Sequence, residues 1–225
     1  MLPIIILLLL IFEIINALKV NSKNDFINNI NKEEVFDVDK YILIDYPKDI
    51  TIQSKTITLN GYKSGGNYPV LQFSNNVIFQ KNCVNIEMND IVIYGNFKFH
   101  NNQNIKFKNV SYNGYFIAEN DNENLKAVLQ ISGSAFALQK SNIGNEIKGY
   151  DVTINQSGFT GNNVYNTYIL KFSGMSSSHP NELKVSFSSF NGNYHNSAVI
   201  STYSNNTISS VLFEKCYSGK ILDRY

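Results

Sequence analysis

Few side chains in this chain of 225 residues are of types that do chemistry near neutral pH, and their spacing limits what they can do. Three histidines, His100, His179 and His195, are the groups whose ordinary pKa lies in that range. None forms a His-x-x-x-His pair, and Cys83 and Cys216 are far from a Cys-x-x-Cys spacing, so no metal-ligand pattern is present. His100 and His195 stand beside turn-forming residues and His179 precedes Pro180, which places all three on solvated loops. Asp37-Val-Asp39 is an acidic pair of a kind that calcium favours. The residues after it lack the Gly and Glu of an EF-hand loop, so it reads as the polar entrance to a strand. Glycoside hydrolysis needs two carboxyl groups facing one bond, and stretches such as "VSFSSF" and "VTINQSGF" do not supply them. These residues therefore assign no catalytic, metal or cofactor role.

A second set of residues points to modification. Asn109-Val-Ser111, Asn155-Gln-Ser157 and Asn205-Asn-Thr207 are N-glycosylation sequons, which matter only in a chain that enters the secretory path. Residues 2–12, "LPIIILLLLIF", are an apolar run of signal-peptide length, and Ala17 offers a small residue for cleavage. Residues 1–17 are thus expected to be a signal peptide and the protein to be secreted or held at the cell surface, although no Lys or Arg precedes the run and Glu13 follows it. No later segment is long and apolar enough to span a bilayer. Lys+Arg 19 against Asp+Glu 18 leaves a formal charge of +1 with no one-sign block, so nothing in the charge pattern favours nucleic acid or an anionic membrane. Asparagine is abundant, at 34 residues, and suits turns and left-handed backbone.

The elements that carry these residues are set by a repeat. Leu183-x-Val185-x-Phe187-x-x-Phe190-x-Gly192 defines a beat that returns at Ile105, Phe107, Asn109, Tyr112 and Gly114. It returns again at Leu129, Ile131, Gly133 and Phe136, and at Val152, Ile154, Gln156 and Phe159. Val84-x-Ile86-x-Met88-x-x-Ile91 and Val211-x-Phe213-x-x-Cys216 extend it. Period-two alternation puts one set of side chains on one face of a strand, and the skipped beat is a corner. One circuit cannot bury its inward face alone, whereas stacked circuits can. The repeat predicts an all-β solenoid of parallel strands with Asn109 and Gln156 inward, their amides bonded along the stack. A hairpin sandwich is the competing arrangement. Asn60-Gly61, Asn113-Gly114 and Asn191-Gly192 would serve its turns, but they fall at one phase of the repeat. The solenoid also separates Cys83 from Cys216 by about five coils, too far for a disulfide, so both thiols are expected to be unpaired and Cys216 buried as a small apolar filler.

The coils "LKVSFSSFNGNYHNSAVI" and "ISSVLFEKCYSG" resemble those of right-handed parallel β-helix proteins, the pectin-lyase-like superfold, and especially the Asn-rich secreted members of eukaryotic microbes. The resemblance spans roughly residues 40–220 and implies architecture more than activity. It also implies a short amphipathic helix closing the first coil. Residues 22–36 fit one, with Ser22 or Asn24 as N-cap and Phe26, Ile27 and Ile30 as its apolar stripe. The expected divisions are a signal peptide over 1–17, an N-terminal cap over 18–39 and the parallel β-helix over 40–225. No matching cap follows "KILDRY", which suggests a truncated member or self-association through that end. Pectate lyases of the superfold use an arginine base and clustered calcium ligands, yet the one arginine here is Arg224. Polygalacturonases use paired aspartates with Gly-His-Gly, and neither an adjacent Asp-Asp nor a Gly-His-Gly occurs. The expectation is a non-catalytic binding, adhesion or surface module, with carbohydrate as a candidate ligand. The alternatives are a polysaccharide lyase or hydrolase with a site these motifs do not reveal, or an inactive fragment of a larger β-helix protein.

Overall fold

The structure, a computed structural model, describes residues 17–63, 65–164, 167–216 and 222–224. Three parallel sheets run its length, of nine, eight and eight strands, here called sheets 1, 2 and 3. The chain visits them in turn. Coils 1 to 8 start in sheet 1 at Val35–Val38, Thr56–Gly61, Asn85–Asn89, Asn104–Lys108, Val128–Ser132, Asp151–Asn155, Asn181–Ser186 and Ser204–Ser209. Each then contributes one strand to sheet 2 and one to sheet 3, and every strand pair is parallel. This is the solenoid that the alternation demands, because residues on successive circuits must cover one another to leave water. Phe136 pairs with Phe159 and Phe159 with Phe190, and the rings stack at 4.9 Å in both steps. One continuous apolar core runs from Val20 to Val199.

The N-terminal end is closed by Leu18–Val20, which joins sheet 1, and by a helix over Lys23–Asn29. Ser22 is its N-cap, its hydroxyl accepting from Asp25 N at 3.2 Å. Phe26 and Ile30 are fully or almost fully buried, with Phe26 against Phe36 and Phe73 at 5.6 Å. The helix thus covers the inward side chains of the first coil. The parallel ladder already contains Leu18–Val20 and Val35–Val38, so the stack begins before residue 40. The expected signal segment and most of the final residues lie outside the described residues.

Four details of the repeat differ from the sequence expectation. The register places Ile86, Met88 and Ile93 level with Ile105, Phe107 and Tyr112, and Phe213 level with Phe190. The anchors of those coils are therefore Ile93 and Phe213 rather than Ile91 and Cys216. Cys83 is the buried thiol, while Cys216 is half-buried beyond the strand, its thiol against the carbonyls of Phe190 and Glu214. Asn109, Gln156 and Phe187 do not point inward. They occupy left-handed corner positions at φ 54, 50 and 48°, where the backbone turns them to solvent. Asn60-Gly61 ends a strand of sheet 1, whereas Asn113 and Asn191 end strands of sheet 2, so these dipeptides do not share one phase.

The residue after the left-handed corner is the one that faces in. In three consecutive coils it is Ser134, Ser157 and Ser188, all buried. Each hydroxyl donates to a carbonyl two residues back, at 2.7–2.8 Å, and accepts an N–H from the preceding coil: Val110 N, Ser134 N and Ser157 N at 3.0, 3.2 and 3.1 Å. Buried amides do occur at Asn102, Asn120 and Asn145, but each bonds to backbone and not to another amide in a ladder. They donate to Cys83 O at 2.6 Å, Gly149 O at 2.9 Å and Ile169 O at 3.0 Å. A buried amide is tolerated because a neighbouring coil supplies its partner.

Candidate functional site

The outer face of sheet 2 changes character along the axis. In its first coils it presents Tyr41, Leu43, Gln72 and Tyr94; further on it presents Ala135, Ala137, Gly158 and Thr160. Where the early strands turn toward sheet 3, the corners of coils 3 and 4 are Gly95 and Gly114. Their φ values are 147 and 151°, and a Cβ on Gly114 would lie 1.9 Å from Gly95 O. No side chain fits on Gly114, and Gly95 borders a notch of about 300 Å³. Coil 2 walls it with Ser74 and Asn75, Gln139 walls it from the longer link of coil 5, and Gln72, Tyr94 and Asn96 form its sides.

The amides of this notch are each held at one end. Gln72 Oε1 accepts from the Tyr41 hydroxyl at 3.0 Å, which leaves Nε2 unpaired among the described residues. Asn96 Oδ1 accepts from Tyr115 N at 3.3 Å, leaving Nδ2. Asn75 Nδ2 donates to Tyr46 O at 2.6 Å, Asn76 Nδ2 to Asp49 Oδ1 at 3.1 Å and Gln139 Nε2 to Asn113 O at 3.2 Å, leaving three amide oxygens. The Ser74 and Tyr94 hydroxyls can donate or accept. The lining holds no Lys, Arg, His, Asp or Glu.

Ionised groups gather instead on the outer face of sheet 3. Glu119 pairs with Lys148 at 3.1 Å and Glu146 with Lys171 at 3.8 Å, and the Tyr168 hydroxyl donates to Glu146. Burial and the Glu146 carboxylate push the Tyr168 hydroxyl above its ordinary pKa, so it stays a donor. Register puts Ile117 beside Glu146, which makes Glu119 and Glu146 diagonal neighbours on one face. Each carboxylate already has a cation, as expected of a solvated charge ladder.

The residues singled out in the sequence are dispersed. His100 is on sheet 3 opposite Glu119, His179 lies in an exposed link against Ser176 and Ser178, and His195 Nδ1 faces Asn193 O at 2.6 Å. Asp37 accepts from Asn60 Nδ2 at 3.3 Å, and Asp39 pairs with Lys19 at 2.7 Å. The Lys19 hydrogen bond holds the Asp39 carboxyl below its usual pKa. Among the described residues no three His, Cys, Asp or Glu side chains form a metal cluster, and no helix is long and apolar enough to cross a membrane. Of the sequon asparagines, Asn109 donates to Asp90 Oδ1 at 3.1 Å and Asn155 accepts from Ser186 Oγ at 2.9 Å, while Asn205 is exposed on the outer side of Ser204–Ser209. Asn205 thus lies in a strand.

Sequence reasoning missed the notch residues, because amides and a serine carry no motif. The signal that was present is the pair Gly95 and Gly114, one in each of two successive coils and each following a sheet 2 strand. No family model, curated protein or solved structure matches this chain.

Proposed function

We propose that this is a secreted, non-catalytic β-helix protein, a divergent relative of the pectin-lyase-like group, that binds carbohydrate at the notch of coils 2 to 5. The observation that carries this reading is the set of half-anchored amides around Gly95. Sugars offer hydroxyls that donate and accept at once, and amides held at one end meet them without a large loss of side-chain freedom. Tyr41 and Tyr94, 56% and 37% exposed on the neighbouring face, add ring surface that can pack against a sugar.

The second reading, a polysaccharide lyase or hydrolase, is favoured by one feature: Glu119 and Glu146 on a shared face with Tyr168. Against it, both carboxylates are neutralised by lysines. The test is incubation with pectin and polygalacturonate, with and without calcium, followed by assay for unsaturated and reducing ends alongside direct glycan binding. Binding without new ends is the expected outcome. Turnover that disappears in Glu146→Gln would replace this reading with the enzymatic one.

A further inference from the structure

We infer that the notch selects neutral, hydroxyl-bearing saccharides and rejects uronates and sulfated sugars; this rests on the carbohydrate reading above. Two donors, Gln72 Nε2 and Asn96 Nδ2, belong to the lining together with three acceptors, Asn75 Oδ1, Asn76 Oδ1 and Gln139 Oε1, because the opposite end of each amide is already bonded. A hydroxyl satisfies either kind of group. A carboxylate or sulfate only accepts, so wherever one takes the place of a hydroxyl against these amide oxygens it meets an unpaired group of the wrong sign. The lining also lacks a cation to replace the lost hydration of an anion. Behind the wall Asp49 Oδ1 accepts from Asn76 N and Nδ2 at 3.3 and 3.1 Å, which adds negative charge. The space lies over coils 2 and 3, with Gln139 of coil 5 reaching back to it across Asn113 of coil 4, so it takes a short saccharide.

The experiment is calorimetric titration of the full chain with neutral gluco-, xylo- and manno-oligosaccharides and with oligogalacturonides and sulfated oligosaccharides. At least one neutral series is expected to bind, at least about tenfold tighter than any anionic one. Its affinity should hold steady between about 0.05 and 0.5 M salt, because no ion pair is formed. Gln72→Ala and Ser74→Ala should each weaken it by about three- to tenfold. Gln72→Lys should weaken neutral binding and let oligogalacturonides bind, an effect that falls with salt. Circular dichroism and thermal melts check that each variant is folded. Anionic sugars binding the unaltered chain while neutral ones do not would overturn the selectivity and leave the carbohydrate reading standing. Neutral binding indifferent to Gln72→Ala and Ser74→Ala would overturn the assignment to the notch. No binding to either class would overturn both.

Discussion

Two corners of the same coil obey different rules. From coil 3 to coil 8 the turn from sheet 1 to sheet 2 is made the same way each time. A left-handed residue (Asp90, Asn109, Gly133, Gln156, Phe187 or Ser210) is followed by one that faces the core or a serine of the ladder. The turn from sheet 2 to sheet 3 varies: it is short at 95–96 and 114–115 and long at 138–144 and 161–166. The first corner sets the register between sheets, and a slip of one residue would move a whole row from core to solvent. It therefore repeats. The second corner keeps the sheet 3 rows in register while its length varies, and that variation shapes the notch.

The largest effect should come from breaking the inward column. Phe159→Ala removes the middle ring of the Phe136–Phe159–Phe190 stack and should cost about 3–5 kcal/mol in denaturant unfolding. Thr160→Ala, the next residue but on the outer face, should change stability by no more than about 0.5 kcal/mol. Equal losses would mean that the outer face shares in the fold. The constant corner gives a smaller, two-sided test. Ser157→Ala leaves the buried Ser134 N–H without its acceptor and should cost about 1–2 kcal/mol. Phe187→Asn replaces a bulky residue at φ 48° that is 67% exposed, and should stabilise by about 1 kcal/mol. A Phe187→Asn variant less stable than the parent would show that the ring contributes packing that outweighs its backbone strain.

The smallest effect at neutral pH belongs to Cys83. Burial raises its thiol from 9.0 to about 12. A thiol whose folded pKa is raised contributes stability that is fully present below the unfolded value and is lost as pH rises toward the folded one, because the folded chain then holds a proton that the unfolded chain releases. Stability should therefore be insensitive to this group at pH 7 and fall between about pH 9 and 12. Urea melts of the parent and Cys83→Ala isolate the contribution: the parent should lose stability faster over that window, and parallel curves would refute the assignment.

The path of the chain was legible because alternation and a skipped beat recur with enough apolar residues to fix which side faces in. Leu183, Val185 and Phe190, with their counterparts at 152, 154 and 159, state the coil without help from elsewhere. The notch was not legible, since Gln72 and Gln139 are 67 positions apart and neither stands in a motif. The inward placement of Asn109 and Gln156 failed for a related reason. A corner residue continues the alternation on paper, but a positive φ reverses its side chain, and the serine that follows takes the inner position.

Composition and periodicity by themselves determined that the chain winds into stacked parallel coils, because burial of apolar side chains is a property of local pattern repeated many times. Only the tertiary structure decided which polar groups face a common space and which of their atoms are already bonded. That depends on the length of each corner and on contacts between coils far apart in the chain, and no short stretch of sequence encodes either one.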